Sequence, residues 1–112
     1  MKLFTGLRKL RDFQRLQLPF FQSIFDFDIV IEIGYGEEVG RPITLKQLFL
    51  LNISSRSTVR RKLNNLVDQG IIIRRKNADD QRASVLTVSP ATIKLLTRYG
   101  GAMSSISASH FK

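Results

Sequence analysis

Between Ser54 and Gly70 the run SSRSTVRRKLNNLVDQG sets the hydroxyls of Ser55, Ser57 and Thr58 among Arg56, Arg60 and Arg61, with Asn64 a turn further on. None of these is a nucleophile with a general base beside it. They are hydrogen-bonding groups instead: short hydroxyls suit phosphate oxygens, and a guanidinium pairs in fork geometry with a phosphate or a guanine edge. A second basic cluster, Arg74, Arg75 and Lys76, is followed by Asp80 and Arg82. The chemistry on offer is the binding of a polyanion.

Catalytic and metal chemistry find no comparable support. With no cysteine there is no thiol nucleophile, thiolate metal site or disulfide, and the lone histidine, His110, lies near the C-terminus. Asp26, Asp28 and Glu32 are acids without a histidine or a distant carboxylate to complete a site, and they read as a solvated face. No phosphate-binding loop is present. The chain is expected not to be an enzyme and to carry neither cofactor nor metal.

Charge points the same way. Lys and Arg number 18 against 9 Asp and Glu, a net charge of +9 with a pI near 10.7. So basic a chain is drawn to nucleic acid first and to anionic membrane second. The charge is also zoned. Residues 1–18 carry five basic residues against one acid, residues 19–55 two against five, and residues 56–82 eight against three. No apolar run reaches the roughly 18 residues a membrane-spanning helix needs, and no signal peptide is evident, so a cytoplasmic location without membrane contact is expected.

The elements that must position these groups follow from spacing. Leu3, Leu7, Leu10, Phe13 and Leu16 recur at helical steps, predicting an amphipathic helix over 3–17. Residues 20–35 keep helical time in Phe20, Phe21, Ile24 and Phe25 but alternate like a strand in Phe27, Ile29, Ile31 and Ile33, so periodicity alone leaves both open. Gly34, Gly36 and Gly40 with Pro42 mark a loop. Thr44-Leu45-Lys46-Gln47 has capping-box form, predicting a short helix with Leu45, Leu48 and Leu51 inward. Asn52 suits its left-handed closure, and Ser54 or Ser55 caps the next helix. There Val59, Leu63, Leu66 and Val67 form the buried stripe, Ser57, Arg61, Asn64 and Asn65 face away with Arg60 at the edge, and Gly70 ends it. Residues 71–76 and 83–88 then read as a hairpin with a basic tip. Ser89-Pro90 starts a last helix over 90–99, Gly100-Gly101 stops it, and residues 102–112 read as a flexible tail. The expected fold is mostly α with a small β-hairpin, a winged helix-turn-helix, in a single domain over residues 1–101.

Residues 43–89 resemble the DNA-binding lobe of the MarR (multiple antibiotic resistance regulator) family, through ITLKQLFLLNIS, STVRRKLNNLVDQGIIIRR and the wing sequence DDQRASVLTVS with its Asp-x-Arg element at Asp80 and Arg82. The resemblance covers roughly two fifths of the chain. It implies a helix at residues 20–35. The turn before Thr58-Val59 is one residue longer than usual, and Val88-Ser89-Pro90-Ala91 stands where the family usually has Leu-Thr and a following glycine. The family dimerises through N- and C-terminal helices, whereas about a dozen residues follow Tyr99 here.

A sequence-specific regulator of transcription that binds double-stranded DNA is thereby implied, with recognition helix 55–69 in the major groove and wing 74–83 near the minor groove. Ser55, Ser57 and Thr58 then suit phosphates, while Arg61 and Asn64, with Arg56 and Arg60 as further candidates, suit base edges. Arg82 reaches the minor groove with Asp80 orienting it, and Arg74, Arg75 and Lys76 contact the backbone. A homodimer through helix 3–16, and through 90–99, is the expected partner arrangement. Phe20, Phe21, Phe25 and Phe27 read as core or subunit interface, with a pocket for a small apolar effector as the other reading. The alternative function is a winged helix for protein interaction or non-regulatory nucleic-acid binding, such as a plasmid or phage maintenance factor, since fold alone does not fix function.

Overall fold

The computed structural model describes residues 1–76 and 84–112. Asp80 and Arg82, assigned from the sequence to the wing, lie outside the described residues. In chain order come α1 Leu3–Gln17, α2 Ile24–Glu38, α3 Leu45–Leu50, α4 Arg56–Asp68, β1 Ile72–Lys76, β2 Ser84–Val88 and α5 Pro90–His110. The sequence suggests one domain over 1–101; the chain sorts into two compact units, residues 22–89 and the paired terminal segments 1–21 and 90–112.

Within residues 22–89 the helix-turn-helix and hairpin form as their local signals require. Gln47 N–H donates to Thr44 Oγ1 at 3.2 Å and Thr44 N–H to Gln47 Oε1 at 2.9 Å, a reciprocal cap that starts α3. Leu48 is fully buried. Leu45 is only half-buried and Leu51 is exposed, because a six-residue helix turns a single position squarely inward. Asn52 adopts φ +54°, and Ser55 caps α4, its Oγ accepting from Thr58 N–H at 3.3 Å. Val59, Leu63 and Leu66 are buried along α4. The helix closes in a Schellman turn at Gly70 (φ +74°), with Ile71 N–H on Leu66 O at 2.9 Å and Gly70 N–H on Val67 O at 3.0 Å.

The antiparallel strands pair from Ile72 opposite Val88 to Lys76 opposite Ser84. The segment before α3 is tied to them by Leu86 N–H on Ile43 O at 2.9 Å, and Glu37 of α2 accepts Val88 N–H at 2.6 Å. Ile29, Val30 and Ile33 of α2, Leu48, the α4 stripe, Ile72, Leu86 and Val88 make the core.

Two glycine expectations are corrected. α2 runs through Gly34 and Gly36 rather than ending in a loop there. At Gly36 a Cβ would stand 2.9 Å from Arg41 O and 3.1 Å from Ile43 Cγ2, so glycine is required by the returning chain, and the turn falls at Gly40 (φ +75°). The ambiguity of residues 20–35 resolves as helix from Ile24 onward, with Ile29, Val30 and Ile33 inward and Ile31 and Tyr35 outward.

In the unit of terminal segments, α5 does not stop at Gly100-Gly101 but continues to His110, so residues 102–110 are helix and not a loose tail. Each mid-helix glycine costs ~1 kcal/mol relative to alanine, and packing on α1 offsets that. The Phe13 and Tyr99 rings lie 5.9 Å apart, and Lys2 N–H donates to His110 O at 2.8 Å. Gly6 is buried against Phe111 and His110, whose Cβ would be 3.0 Å from a Cβ at Gly6.

Candidate nucleic-acid interface

The outward face of α4 is built by one buried stripe and one cap. With Val59, Leu63 and Leu66 fixed inward, the helical advance of about 100° per residue puts Ser57 and Arg61 near the middle of the opposite face with Asn64 and Asn65 on either side, Arg60 at its edge and Arg56 further round on the same side. Arg56, Ser57, Arg60, Arg61, Asn64 and Asn65 together line an open groove. Among the described residues, Arg56, Arg60 and Arg61 have no carboxylate partner. Asp68, in the last turn, is the acid that terminates this face.

The four basic residues of α4 do not all serve it. Lys62 turns inward, its Nζ 3.5 Å from Asp26 Oδ1, with only 13% of the Lys62 side chain exposed. Asp26 is itself 5% exposed, and its Oδ2 accepts from Gln22 N–H at 3.1 Å, Ser23 N–H at 3.0 Å and Ser23 Oγ at 3.2 Å. The expectation of a solvated acidic face therefore fails for Asp26. It holds the N-terminus of α2 and pins α4 to it, so the rotation of the basic face about the α4 axis is set by a buried ion pair as well as by leucines.

The hydroxyls divide as well. Ser55 Oγ donates to Thr58 Oγ1 at 2.9 Å while accepting from Thr58 N–H, so its proton is used inside the cap. Ser57 Oγ lies 3.4 Å from Ser55 Oγ and, with the Ser55 proton committed, is the donor of that contact, so Thr58, whose own proton is not needed by the cap, is the hydroxyl left available to an anion.

In the hairpin the register separates the three basic residues of β1. Arg74 opposite Leu86 and Lys76 opposite Ser84 share one face, while Arg75 opposite Val85 lies on the other. All three are exposed. They do not make one patch, as grouping them by sequence suggests.

Phe49, which sequence reasoning passed over, is the further residue of this site. Its ring centroid is 4.8 Å from Arg56 Cζ and 5.4 Å from Arg60 Cζ. An aromatic among the leucines of α3 signals core, and no pattern in the sequence marks it as a seat for cations. The four phenylalanines weighed as an effector pocket are placed differently: Phe20 is buried edge-on to Phe21, with ring centroids 4.5 Å apart, and Phe25 lies at the surface. A separate groove in residues 22–89 is lined instead by Glu32, Tyr35, Val39, Pro42, Ile43 and Leu51, among others. Among the described residues, no group of three His, Asp or Glu could hold a metal ion, and no helix is long and apolar enough to cross a membrane.

No family model and no curated protein sequence matches the chain. Solved structures do. The S. aureus MepR–DNA complex aligns with a TM-score of 0.70 at 16% identity, covering 93% of this chain and 81% of that one. The transcriptional repressor CouR, bound to a 23-mer DNA duplex, aligns at 0.61 and 16% identity over 90% of this chain and 68% of its own. The transcriptional regulator Tm0710 from Thermotoga maritima aligns at 0.62 and 22% identity over 96% and 73%. At such identities the likeness is one of architecture: the chain has the winged helix-turn-helix fold of MarR-type proteins.

Proposed function

We propose that the chain is a transcriptional regulator that binds double-stranded DNA sequence-specifically as a homodimer in the cytoplasm, with no catalytic activity of its own. The observation that carries this reading is the face of α4: an open groove of arginines, a hydroxyl and carboxamides, carried on a helix-turn-helix, whose arginines have no carboxylate partner among the described residues. MepR and CouR, which share the fold, were solved bound to DNA. α4 enters the major groove, where Arg61 and Asn64 reach base edges. Arg74 and Lys76 on one face of the hairpin, and Arg75 on the other, bring it to the backbone beside α4.

The dimer is supported by α1 and α5. Phe4 is 80% exposed and Leu16 78%, with Leu3, Leu7, Ile93 and Met103 also at the surface of that unit. A second copy is the occupant that gives one recognition helix to each half of a two-fold site. A small effector belongs, on this reading, in the groove beside Tyr35, Val39 and Ile43, which is mainly apolar and is also lined by Glu32, Arg41 and Gln47.

Titration of labelled duplex at several salt concentrations tests the DNA reading. Affinity that falls steeply with salt and exceeds that for single strands of the same sequence is expected. Binding indifferent to salt, or absent, would turn the search to protein partners.

A further inference from the structure

Arg56 and Arg60 both lie on the ring of Phe49, at 4.8 and 5.4 Å from its centroid, within the roughly 6 Å over which a ring face attracts a cation. They stand one turn apart at the same edge of α4, where like charges repel. Among the described residues neither has a carboxylate to relieve that repulsion. The ring is the group that holds the two guanidiniums together. A guanidinium seated on a ring keeps its in-plane N–H groups directed outward, which is the geometry that grips phosphate oxygens.

We propose that Phe49 is a positioning residue that holds Arg56 and Arg60 as a paired clamp for a backbone phosphate of duplex DNA, leaving the reading of bases to Arg61 and Asn64. This rests on the DNA-binding function above and divides its labour. The clamp sets register and affinity without selecting sequence. Arg61 and Asn64, on the outward face and not among the groups seated on the ring, remain able to follow base edges.

The test is the Phe49→Leu variant, which keeps apolar volume and removes the ring, measured on the preferred duplex and on random duplex across a salt series. Ordering a long side chain on binding costs a few-fold in affinity, so losing the advance placement of two arginines should weaken binding roughly 5- to 30-fold. The loss should be equal on both duplexes with an unchanged salt slope, because both charges still reach the phosphate. Phe49→Tyr should bind as wild type. Arg56→Ala and Arg60→Ala should each weaken both duplexes and flatten the slope by about one, and these losses should shrink in the Phe49→Leu background.

Wild-type affinity in Phe49→Leu, arginine losses that are unchanged without the ring, or a selective loss on the preferred duplex would each overturn the proposal. Should Phe49→Leu fail to fold, Phe49→Met, unbranched and ringless, takes its place, and the Arg56→Ala and Arg60→Ala losses are compared with and without it: losses that shrink without the ring support the clamp, and losses that do not shrink refute it. A wild-type chain that binds no duplex at all would overturn the DNA reading together with the clamp, whereas normal wild-type binding with an inert Phe49 would overturn the clamp alone.

Discussion

Replacing Asp26 with alanine should be the most damaging change to a charged residue in residues 22–89. The carboxylate accepts three hydrogen bonds at the start of α2 and faces Lys62 of α4 at 3.5 Å. Loss of the cap alone costs ~1 kcal/mol. Leaving a buried cation unpaired costs ~3 to 5 kcal/mol, taken here at its low end because the lysine stem can carry the ammonium toward water. The expected loss is thus ~3 to 4 kcal/mol, a large share of the ~5 to 15 kcal/mol by which small domains are stable. Urea unfolding followed by far-UV circular dichroism measures it. Adding Lys62→Met to Asp26→Ala should restore ~1 to 2 kcal/mol, since the orphaned charge goes with its partner, and Asp28→Ala should stay within ~0.5 kcal/mol. A loss below ~1 kcal/mol in Asp26→Ala, or no recovery in the double variant, would refute the pin between α2 and α4.

Gly36→Ala should destabilise by ~1 to 2 kcal/mol in the same assay, the clash with Arg41 O outweighing the ~1 kcal/mol of helix propensity gained. Gly101→Ala, with nothing within 4 Å of the new Cβ, should instead stabilise by up to ~1 kcal/mol. Arg61→Ala should cost ~1 to 3 kcal/mol on the preferred duplex and relax selectivity at one base position; an equal loss on all sequences would make it a phosphate contact. Lys76→Ala should weaken all sequences and flatten the salt slope by about one unit, an unchanged slope placing it outside the interface. Phe4→Asp should convert a dimer to a monomer in sedimentation, and an intact dimer would move the interface elsewhere.

What the sequence discloses here is what is decided locally. The Thr44–Gln47 cap, the left-handed Asn52, the Ser55 cap and the Gly70 turn each involve groups a few residues apart, so residue type and spacing suffice to place them. The α4 face follows, because three buried positions fix its rotation. Gly34, Gly36, Gly100 and Gly101 mislead because a glycine need not mark a turn: only Gly36 meets a close group, while nothing lies within 4 Å of a Cβ at Gly100 or Gly101 and the helix simply runs through them. At Gly36 the close group is Arg41 O, and in α5 the reason for continuing is a helix, α1, from the other end of the chain. Asp26 is misread as solvated and Phe49 is passed over for a similar reason, since their partners Lys62, Arg56 and Arg60 become neighbours only once α2, α3 and α4 are packed. The three basic residues of β1 read as one patch until the register assigns them to two faces.

Selection of duplexes from a randomised DNA pool, sequenced after retention at about 150 mM salt, where weak non-specific attraction is suppressed, tests the central claim directly. Enrichment of a two-fold-symmetric motif with half-sites about one helical turn apart is the expected result. Retention without any motif, or no retention, would contradict a sequence-specific dimeric regulator.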